Sequence, residues 1–211
     1  MYVPAHFAPP DVESLRQLIV DHPLGALITN TGGELDANHI PFELDRNAGE
    51  HGILRAHVAR SNSVWTEVKD GDEVLVIFRG DEAYVTPSWY PSKHEFHKQV
   101  PSWNYRVAHV HGRITVRDDE KYVRGVVARL TRTHEASQPK PWKMTDAEPE
   151  YLEMMLRNIV GIEIEVIRLG GKFKLSQNRE LRDRVSLGEA LKAQGDVELG
   201  QATLDSIQQT A

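Results

Sequence analysis

The chain contains no cysteine among its 211 residues. Disulfide bonds, thiolate metal sites and cysteine nucleophiles are therefore excluded. No apolar run approaches the roughly 18 residues that span a bilayer. The opening residues, MYVPAHFAPPD, also lack the apolar core of a signal peptide. The sequence therefore predicts a cytoplasmic protein without a membrane partner.

Acidic residues outnumber basic residues in this chain. The formal net charge is −6 at pH 7, and the sequence pI is near 5.9. Proteins that bind DNA commonly carry a basic patch and often a basic pI. The sequence shows no pair of adjacent amphipathic helices joined by a tight turn, which is the pattern that predicts a helix-turn-helix. We therefore expect direct DNA binding by this chain to be weak.

Fingerprints of several enzyme classes are also missing. The sequence has no P-loop, GxGxxG, GxSxG or HExxH pattern. Among its ten histidines, His94 and His97 are three apart, and His109 and His111 alternate along one predicted strand. The second pair has no identifiable third ligand, so we assign no metal ligand, although the histidines keep haem binding open. We assign no catalytic residue.

Short β-type segments separated by turn signals occupy most of the chain. The predicted strands are Gly25–Thr29, Asn38–Leu44, Gly52–Val58, Glu73–Arg79, Ala83–Thr86, Val107–Val116 and Ile159–Arg168. The predicted helices are Asp11–Asp21, Asn62–Val68, Lys121–Thr133, Pro149–Arg157 and Val185–Gln194. Gly170-Gly171 indicates a hairpin turn, and the polar tail after the last helix is not expected to be ordered. Closely spaced short strands favour an antiparallel barrel or sandwich.

Three segments combine aromatic, polar and proline residues. They are Tyr84-Val85-Thr86-Pro87-Ser88-Trp89-Tyr90, Val100-Pro101-Ser102-Trp103-Asn104-Tyr105 and Lys174-Leu175-Ser176-Gln177-Asn178-Arg179. A strand that reaches Pro-Ser-Trp-Tyr stops pairing at the proline and presents two amphipathic rings. Such rings suit a flat, partly polar ligand. Trp and Tyr are equally typical of subunit interfaces, so both interpretations stay open.

A fourth segment, His57-Val58-Ala59-Arg60-Ser61-Asn62, lies where a predicted strand gives way to a helix. An arginine, a hydroxyl and an amide beside the free N–H groups of a helix N-terminus form a suitable phosphate site. The alternative is a simple N-cap made by Ser61 or Asn62, with Arg60 in solvent.

Taken together, these segments resemble one family. MYVPAHF, ANHIPF, HVARSN, YVTPSWY, VPSWNY followed by HVHG, and KLSQNR occur in this order between residue 1 and about residue 185. This order is similar to that of the PaiB family of FMN-binding negative transcriptional regulators. The resemblance implies a mainly β, α+β fold: a split antiparallel β-barrel with peripheral helices, as in the pyridoxamine-phosphate-oxidase superfamily. It would occupy residues 1–185, with a helix and polar tail at 186–211.

The resemblance also implies FMN as cofactor, in a groove between two subunits of a homodimer. A small barrel is filled by its own side chains, so the flavin must lie outside it and needs a second wall. A two-fold interface would bury the aromatic loops of both chains and create two equal grooves.

Mapped by order, the family's flavin contacts fall on five parts of this sequence. The ring edge is expected at His39, Ile40, Pro41 and Phe42, and the phosphate at Arg60, Ser61 and Asn62. His57 and Val58 of the same segment are expected as further cofactor contacts. Further contacts are expected from Ser88, Trp89, Tyr90, Trp103, Asn104 and Tyr105, with Trp103–Tyr105 supplied by the partner subunit. Lys174, Gln177 and Arg179 form a second polar cluster near the groove.

The sequence leaves three functions open. The first is a flavin-binding regulator that senses flavin or a small ligand and acts on promoter DNA or a protein partner. The second is an FMN-dependent oxidoreductase, because flavin chemistry needs no dedicated acid or base from the protein. The third is a haem-binding protein on the same barrel.

Overall fold

A computed structural model describes residues 1–208 and contains seven strands and seven α-helices in that range. The strands are β1 Leu24–Thr31, β2 Glu34–Pro41, β3 Glu43–Asp45, β4 Ile53–Ala59, β5 Glu73–Val85, β6 Ser102–Arg117 and β7 Ile159–Lys174. The helices are α1 Val12–Asp21, α2 Val64–Glu67, α3 Pro91–Phe96, α4 Glu120–Glu135, α5 Pro149–Arg157, α6 Leu181–Gln194 and α7 Val197–Gln208. Short 3-10 turns occur at Ala5–Phe7, Pro87–Trp89 and Met144–Asp146. The predicted α+β class, built on an antiparallel sheet, is confirmed.

The described residues divide into two compact units. Unit 1 contains residues 1–21, 79–108 and the chain from Gly170 onward. Unit 2 contains residues 22–78 and 109–169. Strands β5, β6 and β7 contribute residues to both units.

The sheet has the order β2-β1-β5-β6-β7-β4-β3, so β2 and β3 are its two edge strands. Only Phe42 separates β2 from β3 along the chain. Two opposite edges joined by a single residue require the sheet to curve until those edges meet, because consecutive Cα atoms are only about 3.8 Å apart. Phe42 is buried at this junction and makes an edge-to-face contact with Phe78 at 5.8 Å. This closure within unit 2 agrees with the predicted split barrel.

In unit 2, buried residues alternate with more exposed ones along the strands, as β4 shows. In β4, Leu54, Ala56 and Val58 are buried, and the residues between them lie on the face that carries α4. Helix α4 buries Val123, Val126 and Leu130 at helical spacing. Burying such a side chain contributes about 1.5–3 kcal/mol relative to leaving it in water.

Helices α6 and α7 pack closely in unit 1. A Cβ added at Gly200 would lie 2.7 Å from the carbonyl oxygen of Gly188, so both backbones approach at positions where only glycine fits. Leu187, Leu191 and Leu199 are fully buried there. The expectation of a tail without order was therefore wrong, because residues 197–208 form a helix with an apolar face. Residues 209–211 of that predicted tail lie outside the described chain.

Several boundaries predicted from the sequence were wrong. Gly170-Gly171 is not a hairpin turn but lies inside β7; a Cβ at Gly171 would be 2.6 Å from the carbonyl oxygen of Val107, so the glycine permits close backbone approach. The two strands predicted at 73–79 and 83–86 are the single strand β5. The strand predicted at 38–44 is broken at Phe42. Trp103–Tyr105 lie within β6 rather than before it.

Within residues 1–208, no helix combines the length and apolar character needed to cross a membrane.

Candidate functional site

The first predicted segment, ANHIPF, lies on the edge strand β2. Its register with β1 pairs His39 with Ala26 and Pro41 with Leu24. Within residues 1–208, β1 is its only sheet neighbour. An edge strand presents alternate backbone N–H and C=O groups outward. His39 and Pro41 are exposed, whereas Ile40 and Phe42 are buried. The backbone of β2 can therefore serve as a hydrogen-bonding edge for a ligand.

The second predicted segment, HVARSN, ends β4 and enters the loop before α2. Arg60 forms a two-pronged ion pair with Asp118, with Nη1–Oδ2 and Nη2–Oδ1 distances of 3.0 and 2.5 Å. Its Nε also donates to the carbonyl oxygen of Arg157 at 2.7 Å. The Asp118 contact is the main reason that the pKa of Arg60 is raised and that of Asp118 is lowered. Arg60 is therefore fixed in orientation but engaged by a carboxylate.

Asn62 has two roles. Its Oδ1 accepts a hydrogen bond from the N–H of Val64 at 2.9 Å, which is the capping role considered from the sequence. Its Nδ2 donates to Oδ1 of Asn38 at 2.7 Å. Because α2 has four residues, its dipole adds little to anion binding. The exposed hydroxyl of Ser61 and the guanidinium of Arg60 are the remaining polar groups for a phosphate.

A cavity of about 330 Å³ brings Pro41 and His57 together beside α4. Its other lining residues are Leu130, Thr131, His134, Glu135 and Trp142. Burial lowers the pKa of His57. Its Nδ1 is buried and has no hydrogen-bond partner within residues 1–208. Val58, by contrast, faces the core. Sequence patterns missed His134 and Trp142, since nothing in their spacing connects them with β2 or β4.

In unit 1, the three aromatic and polar segments meet through a buried hydrogen-bond network. The hydroxyls of Tyr90 and Ser176 lie 3.2 Å apart, and Ser176 Oγ donates to Asn104 Oδ1 at 3.1 Å. Tyr90 and Asn104 are each only 1% exposed. Asn104 Nδ2 is buried without a partner among the described residues. These residues hold the three segments together, and the side-chain amide of Asn104 retains its N–H donors unused.

The other predicted residues of unit 1 differ in exposure. Trp103 is 55% exposed and meets the half-exposed ring of Tyr84 edge to face at 6.0 Å. Lys174 donates from Nζ to Ser102 Oγ and to the carbonyl oxygen of Trp103. Burial, followed by Lys172 and Arg179, lowers the pKa of Lys174.

The remaining members of this group are Ser88, Trp89, Tyr105, Gln177 and Arg179. Ser88 is exposed, and its Oγ accepts from Lys93 at 3.1 Å. Trp89 and Tyr105 are partly exposed, and Lys172 Nζ lies 5.7 Å from the Tyr105 ring. Gln177 closes its own turn by bonding to Leu175 N and the carbonyl oxygen of Phe173. Arg179 lies over the ring of Tyr90 at 5.5 Å.

The unit 2 residues fit the chemistry of FMN. The β2 edge offers backbone donors and acceptors of the kind that a flavin pyrimidine edge requires. The cavity beside His57, about 330 Å³, lies within the range of small-molecule pockets, roughly 300–1,000 Å³. Arg60 and Ser61 supply a cation and a hydroxyl suited to a phosphate.

Comparisons with known proteins agree with this chemistry. The family described as "Putative FMN-binding domain" matches residues 1–168. An uncharacterized protein of Emericella nidulans is 36% identical over 219 residues, covering 87% of each chain. Protease synthase and sporulation protein PAI 2 of Bacillus subtilis is 28% identical over 192 residues, covering 91% of this chain and 89% of that protein. The flavocytochrome Anf3 from Azotobacter vinelandii has a similar fold, with a TM-score of 0.58 and 11% identity over 82% of this chain and 72% of that one. The resemblance to the PaiB family is thereby confirmed, and the chain belongs to the FMN-binding domain family, with FMN as its cofactor.

Proposed function

We propose that this chain is a regulatory flavoprotein of the PaiB type, which binds FMN on unit 2 with the phosphate at Arg60–Asn62 and the ring edge along β2. The observation that carries the proposal is the hydrogen bond from Asn62 to Asn38, 2.7 Å long. It joins HVARSN to ANHIPF, the two segments expected to hold opposite ends of FMN.

At the phosphate end, Arg60 and Ser61 are the binding groups. The guanidinium donates two parallel hydrogen bonds to Asp118, and the same fork matches a phosphate. The phosphate takes the place of the Asp118 carboxylate at this fork. Because Nε of Arg60 stays on the carbonyl oxygen of Arg157, the side chain keeps its position during the exchange.

At the ring end, His39–Phe42 supply backbone groups, and His57 supplies a side chain. Burial favours the neutral imidazole of His57, which can donate or accept one hydrogen bond without a buried charge. When bound, FMN supplies one- and two-electron redox chemistry through its ring. The protein's part is to orient the ring and to limit its contact with water.

The functional form in this proposal is a two-fold homodimer with two FMN sites. Trp103 and Tyr84 leave large rings in solvent on unit 1, being 55% and 49% exposed. Exposed aromatic groups of this kind are typical of interaction surfaces. Trp103 and Tyr105 of the partner subunit then form the second wall of the groove, with Lys174, Gln177 and Arg179 beside it, while the buried Asn104 holds these segments in place.

The regulatory part of the proposal takes its support from similarity to the sporulation protein PAI 2. FMN, its redox state or a small ligand is the signal, and promoter DNA or a protein is the target. A net charge of −6 opposes phosphate-backbone contacts. A protein partner is therefore the more direct target than naked DNA.

A flavin-dependent oxidoreductase is the second candidate, favoured by one observation. A mostly apolar cavity of about 440 Å³, lined by residues such as Pro141 and Met144, shares Thr131, Glu135 and Trp142 with the cavity beside His57. A small apolar substrate could reach the flavin from this side. Turnover of bound FMN by NADH or NADPH with a small acceptor would favour the enzyme over the regulator.

One experiment tests cofactor and assembly together. Purified protein is examined by absorbance and by light scattering over a dilution series. The proposal expects flavin bands and a species of twice 23.9 kDa that loses flavin when it dissociates. A 23.9 kDa species that retains FMN would exclude the dimer, and a Soret band would favour haem.

A further inference from the structure

Unit 2 has a second polar cavity, of about 470 Å³, lined by other residues of α4. Its lining residues are Arg55, Arg117, Asp119, Lys121, Tyr122, Gly125, Arg129 and Glu163. None of them lines the cavity beside His57, and none belongs to the proposed flavin contacts. We call this cavity the basic cavity.

Three arginines reach the basic cavity from three elements. Arg55 projects from β4, Arg117 ends β6, and Arg129 lies two turns along α4 from Tyr122. Their side chains are 18%, 43% and 39% exposed. A partly buried guanidinium interacts more strongly with an anion than one in bulk water does, because its field is less screened.

Carboxylates hold these arginines but leave donors unused. Glu163 lies between Arg55 and Arg117, with N···O distances of 3.5 and 2.7 Å. Asp45 takes Nη1 of Arg55 at 2.7 Å, and Glu43 takes Nε of Arg129 at 2.6 Å. Since each guanidinium has five N–H donors, the carboxylates fix orientation and leave N–H groups for a further acceptor.

The cavity lining carries four cationic side chains. Lys121 adds a fourth cation, against the carboxylates of Asp119 and Glu163. Asp119 uses one oxygen to cap α4 by accepting from the N–H of Tyr122 at 2.8 Å. The positive end of this 16-residue helix therefore lies at the same cavity. Together with Glu43 and Asp45, the carboxylates balance these four cations, so the cavity offers oriented N–H donors rather than a net positive charge.

Tyr122 gives the cavity an apolar wall. Its hydroxyl donates to the carbonyl oxygen of Ile162 at 3.2 Å, so the hydroxyl is directed at the backbone. The ring packs on Gly161, where an added Cβ would lie 2.6 Å from it. Gly125 on the same helix face adds no side chain, and a Cβ there would meet only Nη1 of Arg129 at 3.3 Å. The space in front of the arginines is therefore open.

We propose that the basic cavity binds a small phosphate monoester, or free phosphate, through Arg55, Arg117 and Arg129. The planar forks of arginine match the oxygens of a phosphate in pairs. The cavity exceeds the size of the phosphate group, and the Tyr122 ring faces the space left for an organic substituent. The site is an anion site separate from FMN, and it does not depend on the regulatory role proposed above.

The test uses FMN-loaded protein titrated with inorganic phosphate and, in a second arm, with phenyl phosphate. Binding is measured by calorimetry at constant ionic strength, and flavin release is followed by fluorescence. Arg117→Met and Arg129→Met are expected to weaken binding at least tenfold, and the exposed Lys121→Met several-fold without loss of folding. Arg124→Met is the matched control on α4, because this side chain pairs with Glu120 and does not line the cavity. A tighter fit of phenyl phosphate identifies a monoester as the occupant, and equal or weaker binding identifies free phosphate.

Two results would overturn the proposal. One is an unchanged affinity for phosphate and phenyl phosphate in Lys121→Met and in every arginine variant that remains folded. The other is release of FMN by phosphate, with the phosphate response lost in Arg60→Ala, because the anion would then occupy the flavin phosphate site. If FMN does not bind at Arg60, Arg117→Met and Lys121→Met are still expected to weaken phosphate binding. The two proposals can therefore fail separately.

Discussion

The side-chain amide of Asn62 donates a 2.7 Å hydrogen bond to Oδ1 of Asn38. The two residues are 24 positions apart, one on β2 and the other just after β4. In the sheet order, β2 is one edge strand and β4 lies next to the opposite edge. The bond therefore links the two ends of the sheet where it closes in unit 2. It fixes the β2 edge relative to the Arg60–Asn62 loop.

Loss of this bond should weaken FMN binding even though Asn38 is not itself a proposed ligand. Asn38→Ala leaves the capping bond from Val64 to Asn62 intact and removes about 1 kcal/mol of hydrogen-bond energy. We expect a several-fold increase in the FMN dissociation constant by fluorescence titration. Glu34→Ala, an exposed change on the same strand, should leave it unchanged. Equal affinity in the two variants would mean that the loop holds its place without Asn38.

Asp118 is expected to compete with the FMN phosphate for Arg60. Asp118→Asn removes the negative charge that the phosphate must displace. Exposed pairs of this kind are worth up to about 1 kcal/mol, so FMN affinity should rise about two- to fivefold. Glu120→Gln, which removes a nearby carboxylate paired with Arg124, serves as the control. Weaker binding in Asp118→Asn would show instead that the carboxylate positions Arg60 for its ligand.

A buried carboxylate in unit 1 should be important for stability. Asp183 is completely buried and accepts from the N–H and hydroxyl of Ser92 at 3.0 and 2.5 Å. Asp183→Ala leaves these donors without a partner, which should lower the free energy of unfolding by about 2–3 kcal/mol. Asp183→Asn keeps an acceptor and should lose less. Urea denaturation measures both, and equal losses would argue against the hydrogen bonds as the cause.

His57 should make stability fall in mild acid. Burial lowers the pKa of His57 in the folded chain below its ordinary value of about 6.5. The unfolded chain therefore takes up the proton first as the pH drops. The stabilising contribution is present above about pH 6.5 and is lost as the pH falls through the folded pKa.

The measurement compares unfolding free energies at pH 7.5 and pH 5 in the wild type and in His57→Gln. Burial also lowers the pKa of His109 and His111, so part of the pH dependence should persist in the variant. A smaller difference between the two pH values is the expected result for His57→Gln. An undiminished difference would show that His57 does not cause the loss of stability in mild acid.

Sequence patterns predicted elements where the local signal agrees with the tertiary structure. The α5 boundaries at 149–157 and the short strands of unit 2 follow from proline, turn residues and alternation. The break at Phe42 could not be predicted, because it results from the meeting of the two sheet edges. Helix α7 was missed because its apolar face needs α6, and its glycine contact with Gly188 is visible only in three dimensions.

The candidate site, too, could be predicted from the sequence only in part. Arg60 and Asn62 could be selected from residue type and position, whereas their engagement by Asp118 and Asn38 depends on partners far along the chain. Burial of Tyr90 and Asn104 was not predictable either, since Ser176 joins them from another segment. His134 and Trp142 join the cavity of His57 only through the packing of α4 and the loop after it.

The most direct test of the proposed FMN site is the affinity of Arg60→Ala for FMN, measured by fluorescence titration beside Arg124→Ala. The two arginines have equal charge and nearly equal side-chain exposure, 39% and 40%, but only Arg60 lies in the proposed phosphate site. Loss of one charge-assisted contact should weaken FMN binding in Arg60→Ala by about 1.5 kcal/mol or somewhat more, roughly tenfold or above. Arg124→Ala should bind as the wild type does. An FMN dissociation constant in Arg60→Ala equal to that of Arg124→Ala would contradict the placement of the phosphate at this loop.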